Sequence, residues 1–287
     1  WPRNLLLAAV VLAAVGTFVA SVFPRLEPDT ARRDFDPGFS HEADFRATVD
    51  TVDAAFRQQW DELGIAPAPA ADDLAVARRL SLALAGTIPS LEEVRRLEAF
   101  QGDRAAWWAW GLLRDRRYAE YFAERLARST VGTMNGHFLV YRRNRYTTWL
   151  ADSLAENRSY DSIVRQVIAS NGLWTTEPAT NFVTATVKPA ANEGPDEVGL
   201  AARVYRAFLG VRIDCAECHD HPFDRWTQQD FHGLAAFFGQ TQLSVAGVGE
   251  SRGQYEWEDH ELGRKVTGTP RVPFAQQALP PAPGESS

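Results

Sequence analysis

Cysteine is nearly missing from this chain: its 287 residues include only two, Cys215 and Cys218. A disulfide framework of the kind that staples small secreted domains is therefore excluded. Lysine occurs only at Lys188 and Lys265, so nearly all the positive charge is arginine, and methionine occurs once, at Met134. Positive charge does not prevail. Lys and Arg number 30 against 37 Asp and Glu, a formal net charge of −7, so the concentrated positive surface that phosphate binding requires is lacking and no nucleic-acid partner is expected. No internal repeat is apparent. What is present, 45% apolar and 23% charged residues, is the composition of an ordinary globular protein with ample core-forming material.

One long uncharged run stands near the start. Leu5 to Phe23, LLLAAVVLAAVGTFVASVF, has nineteen residues. At about 1.5 Å per residue, a helix of that length can cross about 30 Å of hydrocarbon. Its length, and the poor cleavage site VASVFPR at its exit, favour a retained anchor over a cleavable signal peptide. Arg3 precedes the run while Arg25, Arg32 and Arg33 follow it, so orientation must come from other chemistry. The chain opens on Trp rather than Met, and a few residues are expected to precede it. Residues 1–25 are thus read as a transmembrane anchor and 26–40 as a polar, proline-containing linker.

Residues 41–240 read as a helical domain. His41 to Leu63 spaces Phe45, Val49, Val52, Phe56 and Trp60 at steps of three and four, which places them on one helix face. Asp72 or Asp73 can cap a second helix that Gly86 would stop, and Ser90-Leu-Glu-Glu93 is a capping box opening a third, to Phe100. Further helices are expected near Trp107, over Arg117 to Ser129, over Phe138 to Glu156, over Tyr160 to Ser170 and over Asp196 to Leu209. Thr175 to Pro195 has no period and reads as a long loop crossing the surface or covering a site. Residues 241–270 alternate between turn residues and short extended segments, as a small hairpin does, and 271–287 form a Pro-rich tail. The expected fold class is mainly α: a helical domain with an N-terminal transmembrane helix and a small β-hairpin near the C-terminus.

Both cysteines lie in Cys215-Ala216-Glu217-Cys218-His219. Two thiols three residues apart can form thioethers to the two vinyl groups of one porphyrin, and the adjacent imidazole then faces the iron. Cys215 and Cys218 are therefore candidates for covalent attachment of one haem c, with His219 as the proximal ligand. Competing readings are a redox disulfide, which lacks its usual strand-helix-strand surroundings, a zinc site using His219 or His221, which lacks a second CxxC, and coincidence. For the far face of the iron the candidates are Met134, whose thioether suits a high potential, His137 and His232. His221 and Trp226 suit the surroundings of the haem, and Arg142, Arg143 and Arg145 are candidates for its propionates or for a solvated helix face. No residue is read as catalytic.

The stretch FLGVRIDCAECHDHPFDRWTQQDFHGLAAFF, Phe208 to Phe238, resembles the planctomycete-type cytochrome c domain family, a group of unknown function. RRLSLALAGTIPSLEEV, RRYAEYFAERLAR, YRRNRYTTWLADSLAENRSYDSIVRQVIASNGLW and PATNFVT resemble it in the same order, so the likeness covers about residues 70–240. The resemblance implies a helical, haem-binding, exported domain. Haem c is fixed outside the cytoplasm, which places the soluble part in the bacterial periplasm on a single-pass inner-membrane anchor. The expected function is a monohaem c-type cytochrome serving as an electron-transfer subunit. Its expected partners are a membrane redox complex, met through the transmembrane helix, and a periplasmic electron donor or acceptor. A haem enzyme or gas sensor with an open sixth site, and a purely structural subunit, are the alternatives.

Overall fold

The computed structural model describes residue 12 and residues 43–133, 139–188, 194–251, 253–259 and 263–274. The chain divides into two compact units, Trp1–Ile65 and Ala66–Ser287. The first contains helix α1 (Ala43–Leu63), whose apolar residues share one face as their spacing predicts.

In the second unit, helices start and stop where the sequence places caps. Asp72 accepts a hydrogen bond from the Ala75 amide at the start of α2 (Asp73–Ala85), and Gly86 ends it in the left-handed conformation, φ 67°. Ser90 and Glu93 form both halves of the capping box that opens α3 (Leu91–Ala99). Asp103 caps α4 (Arg104–Leu113) and Asp115 caps α5 (Arg116–Thr130). Three apolar clusters follow from these elements. A small one joins Ala77, Ala85, Leu97, Trp108 and Leu112 from α2, α3 and α4, and the Trp108 indole N–H donates to the Ala77 carbonyl and the Ser81 hydroxyl.

The main core forms between α5 and α6 (Arg143–Ala155). Ala119, Ala123 and Ala127 recur every four residues on α5, and these small side chains let it approach Tyr146, Leu150 and Ala151 of α6 closely. Helix α7 (Tyr160–Ala169) adds Ile163 and Val167 to this core, and α9 (Glu197–Phe208), capped by Asp196, adds Leu200 and Val204. The other side of α9 contributes Ala201, Ala202 and Tyr205 to a third cluster with Ile213, Ala216, Trp226 and Phe231. Helix α10 (Gln228–Ala235) follows. Two antiparallel hairpins close the described chain, β1 (Thr241–Ser244) with β2 (Gly247–Glu250) and β3 (Glu256–Asp259) with β4 (Arg264–Thr267).

The expected fold class is corrected in two respects. No helix among the described residues is long and apolar enough to cross a membrane, so the expected N-terminal transmembrane helix is not supported; apart from Leu12, the run from Leu5 to Phe23 lies outside the described residues. The C-terminal region holds two hairpins rather than one, because Gly247 and Gly263, both at positive φ, each permit a tight reversal.

Two local expectations also change. The helix expected from Phe138 begins at Arg143, after a turn at Leu139 and Val140. The loop expected over Thr175 to Pro195 contains a buried pair of turns, the 3-10 turn Pro178–Thr180 and α8 (Asn181–Thr184). Asn181 replaces the missing regular backbone pairing: its amide donates to the carbonyls of Trp174 and Pro178, and its side-chain oxygen accepts from the Arg142 amide.

Replacing Gly86 with alanine tests the capping geometry. At φ 67° a Cβ is strained, and here it would fall within the contact radius of the Tyr121 ring carbons. The G86A variant is expected to lose about 1–3 kcal/mol of stability, read as a lower midpoint in denaturant unfolding.

Candidate functional site

The turn that carries the cysteine motif is short and anchored from inside. Asp214–Glu217 form a 3-10 turn, and the Cys218 and His219 amides both return to the Cys215 carbonyl, at 3.3 and 3.4 Å. Ile213 and Ala216 point into the third cluster, at 1% and 0% exposure, while Cys215, Cys218 and His219 are exposed. A 3-10 turn repeats every three residues, so Ile213 and Ala216 share the buried face while Cys215 and Cys218 share an exposed one. Both cysteines are free thiols.

The histidine of the motif is oriented by a local bond. His219 Nδ1 lies 2.7 Å from the Asp220 carbonyl. A carbonyl only accepts, so Nδ1 carries the proton and the lone pair sits on Nε2, the nitrogen left to bind a metal. The Asp220 carboxylate, for its part, accepts from the Gln228 amide at 2.8 Å, in the first turn of α10. The intervening loop is closed where the His221 amide donates to the Trp226 carbonyl at 2.8 Å. His221 Nδ1 accepts from the Phe223 amide, and the Phe223 ring, 94% exposed, stands out beside the motif.

The strongest fastening holds the Glu217 carbonyl, which accepts from His232 Nε2 at 2.9 Å and from Gln228 Nε2 at 3.1 Å. Gln228 also reaches the Glu258 carbonyl on β3. Because the carbonyl accepts from Nε2, the Nδ1 of neutral His232 accepts in turn from the Tyr255 hydroxyl at 2.7 Å. His232 is buried and stacks on Trp257, with centroids 4.2 Å apart and planes 13° from parallel. Burial, reinforced by the carboxylates of Glu197, Glu217 and Asp196, pushes the Tyr255 phenol well above its ordinary range, so its proton stays in place to donate. Burial also raises the Glu217 carboxyl, with Asp196 and Asp214 adding to the shift.

Among the expected site residues, Cys215, Cys218 and His219 come together on one turn. His232, expected as a candidate iron ligand, has both ring nitrogens engaged in holding that turn, and ligation would require breaking both bonds. Met134 and His137 lie outside the described residues, as do His41 and His260. Trp226 is buried against Tyr205 and Phe274, edge to face, with Arg225 over its ring; its indole N–H finds no acceptor among the described residues. Arg143 forks Glu124 through two 2.9 Å contacts and is occupied with linking α5 to α6. The cap of α10 is Thr227, completed by Asp230. Asp224 accepts from the amide of its neighbour Arg225. Sequence reasoning missed Gln228 and Tyr255; the Thr227-x-x-Asp230 capping box was a readable signal for the first, and the second, in a short loop before β3, gave none.

Among the described residues no three His, Cys, Asp or Glu side chains converge to hold a metal ion, so the zinc reading gains no support from them. The donor set fits a covalently held porphyrin better: two reachable thiols at the required spacing and an adjacent imidazole with its Nε2 lone pair available. A family model described as PSCyt2, protein of unknown function (DUF1549), matches residues 51–243. No curated protein and no solved structure matches the chain.

Tyr255→Phe isolates the fastening. Removing the hydroxyl leaves His232 Nδ1 buried without a donor, a loss of about 1–3 kcal/mol. Faster amide hydrogen exchange at Cys218 and His219 should accompany the lower stability. Exchange and melting both equal to the parent's would show that the bond does not hold the turn.

Proposed function

This chain belongs to the PSCyt2 family, a planctomycete cytochrome-c-associated family of unknown function, and from that membership we propose that it is a monohaem c-type cytochrome acting in electron transfer. The observation that carries the reading is the anchored turn: Cys215 and Cys218 exposed on either side of buried Ala216, with His219 beside them and its Nε2 lone pair free. Cys215 and Cys218 would hold the haem through thioethers, and His219 would ligate its iron. When bound, the haem would supply a one-electron couple tuned by the residues around it.

The chain's own residues set the conditions for that couple. The Asp220 carbonyl fixes the ring of His219 and, by accepting from Nδ1–H, makes Nε2 a better donor. The Glu217 carbonyl, tied to His232 and Gln228, keeps the attachment turn from reorganising when the charge state changes. Phe223 offers an apolar surface next to the motif. Because the motif faces solvent, a partner protein can approach it directly, which suits an electron carrier passing charge between a periplasmic donor or acceptor and a membrane redox complex. Haem c attachment belongs outside the cytoplasm, so the reading places the domain in the periplasm.

The test is an absorption spectrum, oxidised and reduced, with a haem-stained denaturing gel, on protein produced in an export and haem c maturation background. Covalent pigment is expected in the parent and absent in the C215A/C218A variant, while H219A is expected to keep covalent haem with an altered axial band pattern. A colourless parent would sink the proposal. Six-coordinate iron indifferent to carbon monoxide is the result expected of a carrier, whereas carbon monoxide binding would replace electron transfer with ligand chemistry at the same haem.

A further inference from the structure

Arg203, half-buried on α9, has carbonyls for partners where a carboxylate is usual. Its Nη1 donates to the Thr130 carbonyl at the end of α5, at 3.0 Å, and its Nη2 to the Ala185 carbonyl just after α8, at 3.3 Å. The carboxylates of this region are committed elsewhere: Glu124 to Arg128 and Arg143, Glu197 to Lys188, and Asp196 to the Gly199 amide. A guanidinium cannot release its proton, so its charge calls for an anion.

Two hydroxyls beside it are also unspent. Tyr141 and Thr184 are 5% and 0% exposed, and neither hydroxyl meets a hydrogen-bond partner among the described residues. Thr184 directly precedes Ala185, which Arg203 holds. Tyr141 precedes Arg142, whose amide bonds Asn181 at the start of α8. Burial raises the Tyr141 phenol above its ordinary range, against the pull of the Arg143 and Arg203 charges, so it keeps a proton to donate. Orphaned buried groups of this kind call for a bound water or ion.

We propose that Arg203, Tyr141 and Thr184 bind a small monovalent anion, a halide such as chloride, where α5, α6, α8 and α9 meet. Water would satisfy the hydroxyls but leave the charge. A divalent anion would exceed it, since the neighbouring Arg143 is already neutralised by Glu124. A spherical ion accepts from any direction, which suits donors arriving from three separate segments.

Thermal unfolding of the whole chain in sodium chloride, and in sodium gluconate of equal ionic strength, tests this. The midpoint is expected to rise with chloride and then saturate, as ligand linkage requires, and bromide should substitute. Y141F and T184V should each raise the half-saturating concentration about tenfold, the worth of a hydrogen bond to an ion, and R203M should abolish the response. Should R203M fail to fold, as read by circular dichroism, the two hydroxyl variants decide. Equal midpoints for the parent in both salts would overturn the proposal. So would a chloride response that Y141F and T184V leave unchanged, which would place the ion elsewhere or make both residues merely structural.

Discussion

The single constraint on which the site depends is the Glu217 carbonyl. A carbonyl in a one-turn 3-10 segment has no helical partner further along the chain, and leaving it partly buried and unpaired would be costly. Here it receives two donors from α10, the imidazole of His232 and the amide of Gln228. Both donors are themselves held, His232 by Tyr255 and Trp257, Gln228 by Glu258 and by the bond from its amide to Asp220. The turn bearing the cysteines is thus fixed to α10 and to the second hairpin at once. All of these groups belong to the chain, so the spacing of the thiols is a property of the polypeptide.

That fastening works only because α9 supports two cores. Leu200 and Val204 belong to the main cluster with α5 and α6, while Ala201, Ala202 and Tyr205 belong to the cluster under the motif. Tyr205 stacks on Phe231 with planes 14° apart, and its hydroxyl donates to the Asp230 carbonyl, so α9 holds α10 by both packing and a directed bond. A shift of α10 relative to α9 would have to break these before it reached Glu217. The rigidity of the helical body is in this way carried to an exposed turn, and the size of the domain relative to its one motif has a physical use.

Much of the fold was legible because it rests on local chemistry. Asp72, Gly86, Ser90 with Glu93, and Asp196 mark helix ends by hydrogen bonds to amides a few residues away, and such signals do not depend on tertiary context. The turn of the Cys215–His219 segment is local in the same way, since the Cys218 and His219 amides bond back to the Cys215 carbonyl. What was not legible depends on distant partners. Asn181 looks like a loop residue until Trp174, Pro178 and Arg142 surround it. His232 carried the right chemistry for an iron ligand, and only the placement of Tyr255, twenty-three residues on, shows that its nitrogens are engaged. The length and hydropathy of the apolar run at the start suit a membrane helix, and no described helix takes that role.

The division of labour among the three histidines of this region follows from which nitrogen each surrenders. His232 gives up both, one to a carbonyl and one to a hydroxyl, and becomes part of the scaffold. His221 uses Nδ1 as an acceptor for the Phe223 amide, which shapes the loop after the motif. His219 alone spends Nδ1 as a donor to the residue that follows it, leaving an exposed Nε2 with its lone pair outward. The imidazoles at positions 219, 221 and 232 are the same chemical group. The hydrogen bond on Nδ1 separates them, and it selects the one that stands beside the two thiols.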